Sequence, residues 1–307
     1  MKFQRKARHI AESLLICLGF SVLPFLPRSG ILKLSHWLGN MAFRVCGKLR
    51  KIAMANLDVG FGSTLSRKDK EAIAHDSFRT FSLLLLDLFW FSVFVKKRMA
   101  TYVHFDPSFD SLFNTKPAVV VTGHLGNWEV LGQAVTLRGN SIVSVVTPLA
   151  NPFADRMLNR FRRLTGQKVA TRKGAVRMLI KVLRSGGRTV LLMDQNTLPE
   201  DGGEFVIFFG LPVPVSKAAY ALSDRTGADI VFVFCLAEGA QYTAYATSPL
   251  KVHKSNGSNK RITQTVAAMM EEAIRKHPGQ WLWMYKRWKY IPQEANPEKY
   301  PFYARKV

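Results

Sequence analysis

The chain has 307 residues, 48% of them hydrophobic and 21% charged, a globular composition that excludes extended disorder. Forty-four Lys and Arg against 21 Asp and Glu leave a net charge of +23, so an anionic partner is expected: nucleic acid, an anionic membrane surface or a phosphorylated substrate. Cys17, Cys46 and Cys235 lie far apart with no C-x-x-C pair, and there is no H-E-x-x-H or acidic calcium loop, which argues against a disulfide framework and against a metal centre.

The N-terminus opens with Lys2, Arg5, Lys6 and Arg8, followed by an apolar run from Ile10 to Leu26. No small-x-small cleavage site follows it, and Glu12, Pro24 and Pro27 interrupt it. It reads as a short, tilted or interfacial membrane anchor rather than a full span of about 20 apolar residues. Basic residues on both sides leave its orientation open. A second apolar run, Phe81 to Val95, carries Asp87 in its middle and stops at Lys96-Lys97-Arg98. A buried helix is the ordinary reading, and an interfacial helix or an acyl-groove wall is the alternative.

From Lys116 the pattern alternates strands and helices. Strands are predicted at Ala118–Thr122, Ser141–Thr147, near Val169, and at Thr189–Met193, Ile230–Leu236 and Tyr242–Thr247. Helices are predicted at Asn127–Leu137, Asn151–Leu164, Ala175–Arg184, Ser216–Arg225 and Arg261–Lys276. This rhythm predicts an α/β fold, a mostly parallel sheet flanked by helices, with an N-terminal membrane anchor helix. The expected division is residues 1–30 as anchor and 31–307 as catalytic domain, with a helical lead-in to about residue 115. The Ser141–Thr147 strand is expected beside the Ala118–Thr122 strand.

The most informative stretch is VVVTGHLGNWEVL, Val119 to Leu131. A buried strand runs into Gly123-His124, a tight turn holds Gly126, and Asn127 is a plausible N-cap. This is the carboxyl end of a strand, where open α/β sheets bind ligands. Glu129 falls in the first helical turn, where the dipole favours negative charge. Across the turn His124 and Glu129 can converge, the carboxylate fixing the tautomer and the other ring nitrogen acting as a base. No G-x-S-x-G elbow is present, so activation of a substrate hydroxyl suits the pair better than serine hydrolysis.

The segment Gly123-His124-Leu125-Gly126-Asn127-Trp128-Glu129 resembles the His-x4-Glu signature of the lipid A biosynthesis late acyltransferases, the lauroyl/myristoyl acyltransferase family within the lysophospholipid-acyltransferase-like superfamily. The same resemblance extends through Asn151-Pro152 and a basic helix with Arg160, Arg162 and Arg163, through Arg172-Lys173, Met193-Asp194-Gln195 and Phe205–Gly210, to Gly279-Gln280-Trp281-Leu282-Trp283 and Lys286-Arg287-Trp288-Lys289. It implies a glycerolipid acyltransferase-like fold and transfer of an acyl chain from acyl carrier protein, with coenzyme A as the other candidate carrier, to a hydroxyl of a lipid A precursor. It implies no cofactor and no metal, and a location on the cytoplasmic face of the inner membrane. By the same resemblance His124 is the general base, Glu129 its orienting partner and Asp194 a further active-site residue. Arg162 best matches the family's arginine, with Arg160 and Arg163 as neighbours. Arg172 and Lys173 are candidate contacts to substrate. Tyr285 stands where many members carry a histidine, and Thr197–Glu204 departs from the common loop.

Expected partners are therefore acyl carrier protein, a phosphorylated glycolipid and an anionic membrane, and not nucleic acid. Trp281, Trp283, Trp288 and Tyr290 among Lys286, Arg287 and Lys289 read as a packed, snorkelling terminus or as a substrate contact. Lysophospholipid acyltransferases usually present His-x4-Asp, which Glu129 disfavours. A nucleic-acid-binding protein would leave both apolar runs unexplained.

Overall fold

The computed structural model describes residues 2–171, 174–252 and 259–307. Five helices precede the sheet: α1 (Lys2–Val22), α2 (Arg28–Val45), α3 (Gly47–Phe61), α4 (Arg67–Trp90) and α5 (Val95–Tyr102). The α/β part then runs β1 (Val103–Phe105), α6 (Asp110–Asn114), β2 (Ala118–Thr122), α7 (Trp128–Leu137), β3 (Ile142–Val146), α8 (Pro152–Arg163), β4 (Lys168–Thr171), α9 (Ala175–Arg184) and β5 (Arg188–Leu192). It continues through β6 (Gly203–Phe208), β7 (Leu211–Ser216), α10 (Ala218–Thr226), β8 (Asp229–Glu238), β9 (Gln241–Ala246), α11 (Asn259–Lys276), β10 (Tyr290–Ile291) and β11 (Arg305–Lys306).

The segment Lys6–Phe25, in α1 and the turn after it, is long and apolar enough to cross a membrane. Only 11% of its most apolar window is buried, and Leu14, Leu15 and Leu18 are exposed. It is thus not the core helix of a soluble domain, which would pack most of its surface. The second apolar run divides: it fills the last turns of α4, and the chain breaks at Phe94, in the left-handed region at φ 51°, before α5. Leu83, Leu84, Leu86, Trp90 and Phe91 are buried, so this run is mainly core, although Leu85 and Phe94 face outward. Asp87 is buried with them and is neutralised by Arg28 of α2.

The seven-stranded sheet has the order β1-β9-β8-β2-β5-β3-β4 and is parallel except between β8 and β9. β2, AVVVT, is buried at all five positions, as a central strand covered on both faces must be. The expected adjacency of β2 and β3 is corrected: β5 inserts between them, pairing Val119 with Thr189 on one side and Val143 with Thr189 on the other. The chain steps outward through β3 and β4 and then returns to fill the gap. Hydrophobic periodicity reports which strands are buried, not their lateral order.

The β6–β7 hairpin falls outside the expected elements. Phe209 and Gly210 both have positive φ, the geometry of a tight hairpin turn. Pro212 and Pro214 hid it; prolines are tolerated here because a two-stranded ribbon consists of edges. The C-terminal aromatics close one side of the core. Trp283 is fully buried, with ring centroids 4.6 Å from Trp281, 5.8 Å from Phe61 and 6.0 Å from Phe209. Trp283→Ala should cost about 3–5 kcal/mol, read as a lower urea midpoint at unchanged slope.

Candidate active site

β2 and β5 are neighbours in register, with Thr122 opposite Leu192. His124 and Asp194 each lie two residues beyond that pair, so the parallel sheet brings both to the carboxyl edge together. The Asp194 carboxylate is 3% exposed and accepts three N–H groups. They come from the His124 backbone at 2.7 Å, His124 Nδ1 at 2.7 Å and the Trp281 indole at 3.0 Å. Burial alone would raise this carboxyl, but the His124 ring and the converging N–H donors outweigh it and hold it down at about 2.

An ionised carboxylate can only accept, so Nδ1 carries the hydrogen, and in the neutral ring Nε2 is the free nitrogen. The Gln195 amide lies 3.5 Å from Nε2, and Trp128 meets the imidazole edge-on at 4.4 Å between centroids. A recess lined by Phe81, Leu84, His124, Trp128, Trp281 and Leu282 opens beside the ring. A larger cleft, about 540 Å³, lies elsewhere, between α1 and the start of α8.

The turn itself is built by close approach. Gly126 has φ 63°, and a Cβ there would stand 1.9 Å from the Cys235 carbonyl oxygen. The Asn127 N–H donates to that same oxygen, and the Gly126 N–H donates to the Gln280 carbonyl. The Leu282 N–H donates to the His124 carbonyl. The segment Gln280–Leu282 is therefore the third wall of the site. The sequence reading placed it in the family resemblance but left its role open between packing and contact. Its signal was the unbroken Gln-Trp-x-Trp run, which no surface terminus requires.

The expected pairing of Glu129 with His124 is corrected. Glu129 points to Arg162 instead, in a bidentate pair with Oε2 2.9 Å from Nε and Oε1 2.5 Å from Nη2. The physical reason is rotation: α7 begins at Trp128, and by its first turn Glu129 has swung from the sheet edge toward α8. The fork of an arginine suits a buried carboxylate there, and Arg162 of α8 supplies it. Arg162 is thus tied to the helix that follows the His124 turn, whereas Arg160 and Arg163 make no contact with Glu129 among the described residues. Arg172 and Lys173 lie outside the described residues.

Behind Asp194 sits a charge that the sequence reading placed only in the aromatic terminus. Arg287 is 1% exposed and donates to Asn196 Oδ1 at 2.8 Å and to the Pro214 carbonyl at 3.2 Å. Burial lowers it to about 10, with Asp194 opposing the shift. Asn196 is also held by the Tyr285 hydroxyl, which accepts its N–H at 3.1 Å. The Asp194–Asn196 segment is in this way clamped from the C-terminal side.

The molecule is thus an α/β protein with a half-buried histidine on a buried aspartate at the carboxyl edge of a mostly parallel sheet, and an apolar N-terminal helix. Residues 1–290 match the family model for bacterial lipid A biosynthesis acyltransferase, and the chain belongs to that family. Among curated relatives, a phosphatidylinositol mannoside acyltransferase of Mycobacterium tuberculosis is 27% identical over 56% of this chain and 54% of its own, so the chain spans about half the length of that relative. Lipid A biosynthesis acyltransferase 2 of Shigella flexneri is 22% identical over 87% of this chain and 85% of its own. Among solved structures, a 1-acyl-sn-glycerophosphate acyltransferase of Thermotoga maritima aligns with TM-score 0.40 and 13% identity, covering 83% of this chain and 99% of that one.

The depressed Asp194 carboxyl has a pH consequence. Its native value lies below the ordinary 3.8, so its stabilisation is complete above that value and is lost as pH falls toward about 2. Asp194→Asn should be less stable than wild type at neutral pH by about 2 kcal/mol or more, and the gap should narrow between about pH 4 and about pH 2. Urea midpoints across that range check it.

Proposed function

We propose that this protein transfers an acyl chain from a thioester, carried by acyl carrier protein, to a hydroxyl of a phosphorylated glycolipid of the lipid A type. The observation that carries the reading is His124: Nδ1 is held by a buried carboxylate, and the imidazole lines a small, mostly apolar recess. Among the described residues no serine or cysteine nucleophile is bonded to that ring. The nearby Cys235 is fully buried, and burial pushes its thiol up, so it stays protonated.

A thioester is already electrophilic, so the protein needs a base, an oxyanion donor and positioning. In the proposed reaction Nε2 takes the proton of the acceptor hydroxyl as its oxygen attacks the thioester carbonyl. Asp194 stabilises the imidazolium formed. The tetrahedral oxyanion collapses, the carbon–sulfur bond breaks, and the thiolate takes the proton back from Nε2. Arg162, anchored by Glu129, has N–H capacity left for a developing oxyanion or a substrate phosphate. Coenzyme A remains the competing carrier. The higher identity to the mycobacterial relative supports a second reading, a mannosylated phosphoinositide acceptor, which the same assay distinguishes.

The location proposed is the cytoplasmic face of the inner membrane, with α1 as the anchor and the +23 excess favouring anionic lipid heads, an acidic carrier and a phosphorylated acceptor. Deleting residues 1–27 should shift the protein from the membrane pellet toward the soluble fraction in high salt. Retention in the pellet would move the anchor to other exposed apolar surface, such as Trp37 and Val45 of α2.

The activity test is transfer of a labelled acyl group to each acceptor, on variants with wild-type melting temperature. His124→Ala should lose ~10²–10⁴-fold in turnover. Glu129→Gln and Arg162→Ala should both be damaging, and their double variant should be little worse than either, because each substitution breaks the same pair. Near wild-type turnover by His124→Ala would overturn the mechanism.

A further inference from the structure

Asp87 is the charge that interrupts the apolar run of α4, and neither the fold nor the proposed chemistry accounts for it. It is 1% exposed. Three groups donate to it: the Arg28 guanidinium, the Tyr242 hydroxyl and the Asn127 side-chain amide, the last at 3.3 Å. Arg28 is 6% exposed, donates to the Ala240 carbonyl at 3.0 Å, and lies over the rings of Trp90, Phe91 and Tyr242 at 5.0, 5.7 and 5.5 Å. Asn127 Nδ2 also reaches the Tyr242 hydroxyl at 3.2 Å. One buried cluster thus ties α2, α4 and β9 to a single residue of the catalytic turn.

That residue stands between the two halves of the site. Asn127 follows the His124–Gly126 turn directly, and its Oδ1 caps α7 by accepting the Val130 N–H at 3.0 Å. The first turn of α7 carries Trp128, against the His124 ring, and Glu129, against Arg162. A shift of the Asn127 side chain would therefore move both. Its Oδ1 and Nδ2 have different tasks: the oxygen starts the helix, and the nitrogen fixes where the helix start sits.

Energetics separate a positioning role from a stabilising one. A buried ion pair seldom stabilises a fold more than well-packed apolar residues of the same volume. Stability alone gives no reason to keep Asp87 and Arg28 in an apolar wall. Fixing the direction of one amide does give a reason: Asp87 accepts from Asn127 Nδ2 directly and also orients the Tyr242 hydroxyl that accepts from it.

We propose that Asp87, held by Arg28 and Tyr242, is a positioning residue that sets the catalytic turn through the Asn127 amide. This rests on the acyl-transfer reading for its kinetic arm only. Two variants of the full chain test it. Asn127→Ser keeps an oxygen able to cap α7 but removes the donor to Asp87. Asp87→Leu combined with Arg28→Met replaces the ion pair by apolar groups without stranding either charge. Both should melt near the wild-type temperature. Both should lose turnover by roughly ten- to a hundredfold, the order expected for misplacement near an ångström. KM for donor and acceptor should stay within about twofold, since no group that binds them is removed.

A second readout needs no substrate. Amide hydrogen exchange in the peptide spanning residues 123–131 should quicken in both variants while the β2–β5 amides keep their protection. Faster exchange with no acyl transfer even by wild type would sustain the positioning role and overturn the proposed reaction instead. If the double variant fails to fold, Asn127→Ser decides alone. Wild-type turnover together with wild-type exchange in a folded Asn127→Ser protein would overturn the inference.

Discussion

The site depends on one buried carboxylate. Asp194 has left water, and three N–H groups replace the hydration it lost. Each comes from a different demand on the chain. The His124 backbone N–H is there because β2 and β5 are parallel neighbours in register, and the imidazole is there because the turn after β2 folds back at Gly126. The Trp281 indole is there because the C-terminal segment crosses the sheet edge and bonds to both ends of that turn. Remove any of the three and a buried charge is under-solvated, which is far costlier than a missing surface contact.

The remaining buried charges are met by an opposite charge or by fixed hydrogen-bonding groups. Glu129 has Arg162, Asp87 has Arg28, and the buried Arg287 stands behind Asp194 with Asn196 and the Pro214 carbonyl as its partners. The surplus of basic residues is left for the surface, where it is free to meet anionic groups. The apolar surplus is divided in the same way. The β2 strand, the α4 run and the tryptophans of the C-terminus are consumed by the core, while most of α1 stays uncovered. The reaction proposed above, from a water-soluble thioester to a lipid, would use both kinds of surface on one molecule.

Much of this is legible in the sequence. β2 and α9 have the predicted bounds, and the strand–turn–helix around His124 is where VVVTGHLGNWEVL puts it, because local signals agree there: a β-branched run, glycines at a tight turn, and an asparagine cap. What the sequence did not show was which of the distant side chains meet one another. Glu129 was the nearest carboxylate along the chain, but Asp194, seventy residues away, is nearest in space. Lateral strand order decided that, and periodicity carries no information on lateral order. Asp87 looked like an interruption of an apolar helix, since its partners Arg28 and Tyr242 lie 59 and 155 residues away. The β6–β7 hairpin was hidden by prolines that edges tolerate.

The site turns on which carboxylate holds the His124 imidazole, and that is directly observable. In protein labelled with ¹⁵N-histidine, the Nδ1–H of an imidazole bonded to a buried carboxylate gives a strongly downfield, slowly exchanging proton resonance, and Nε2 reports as unprotonated in the neutral ring. The account predicts that this resonance is present in wild type, absent in His124→Ala and in Asp194→Asn, and retained in Glu129→Gln. A resonance that survives Asp194→Asn and disappears in Glu129→Gln would contradict it.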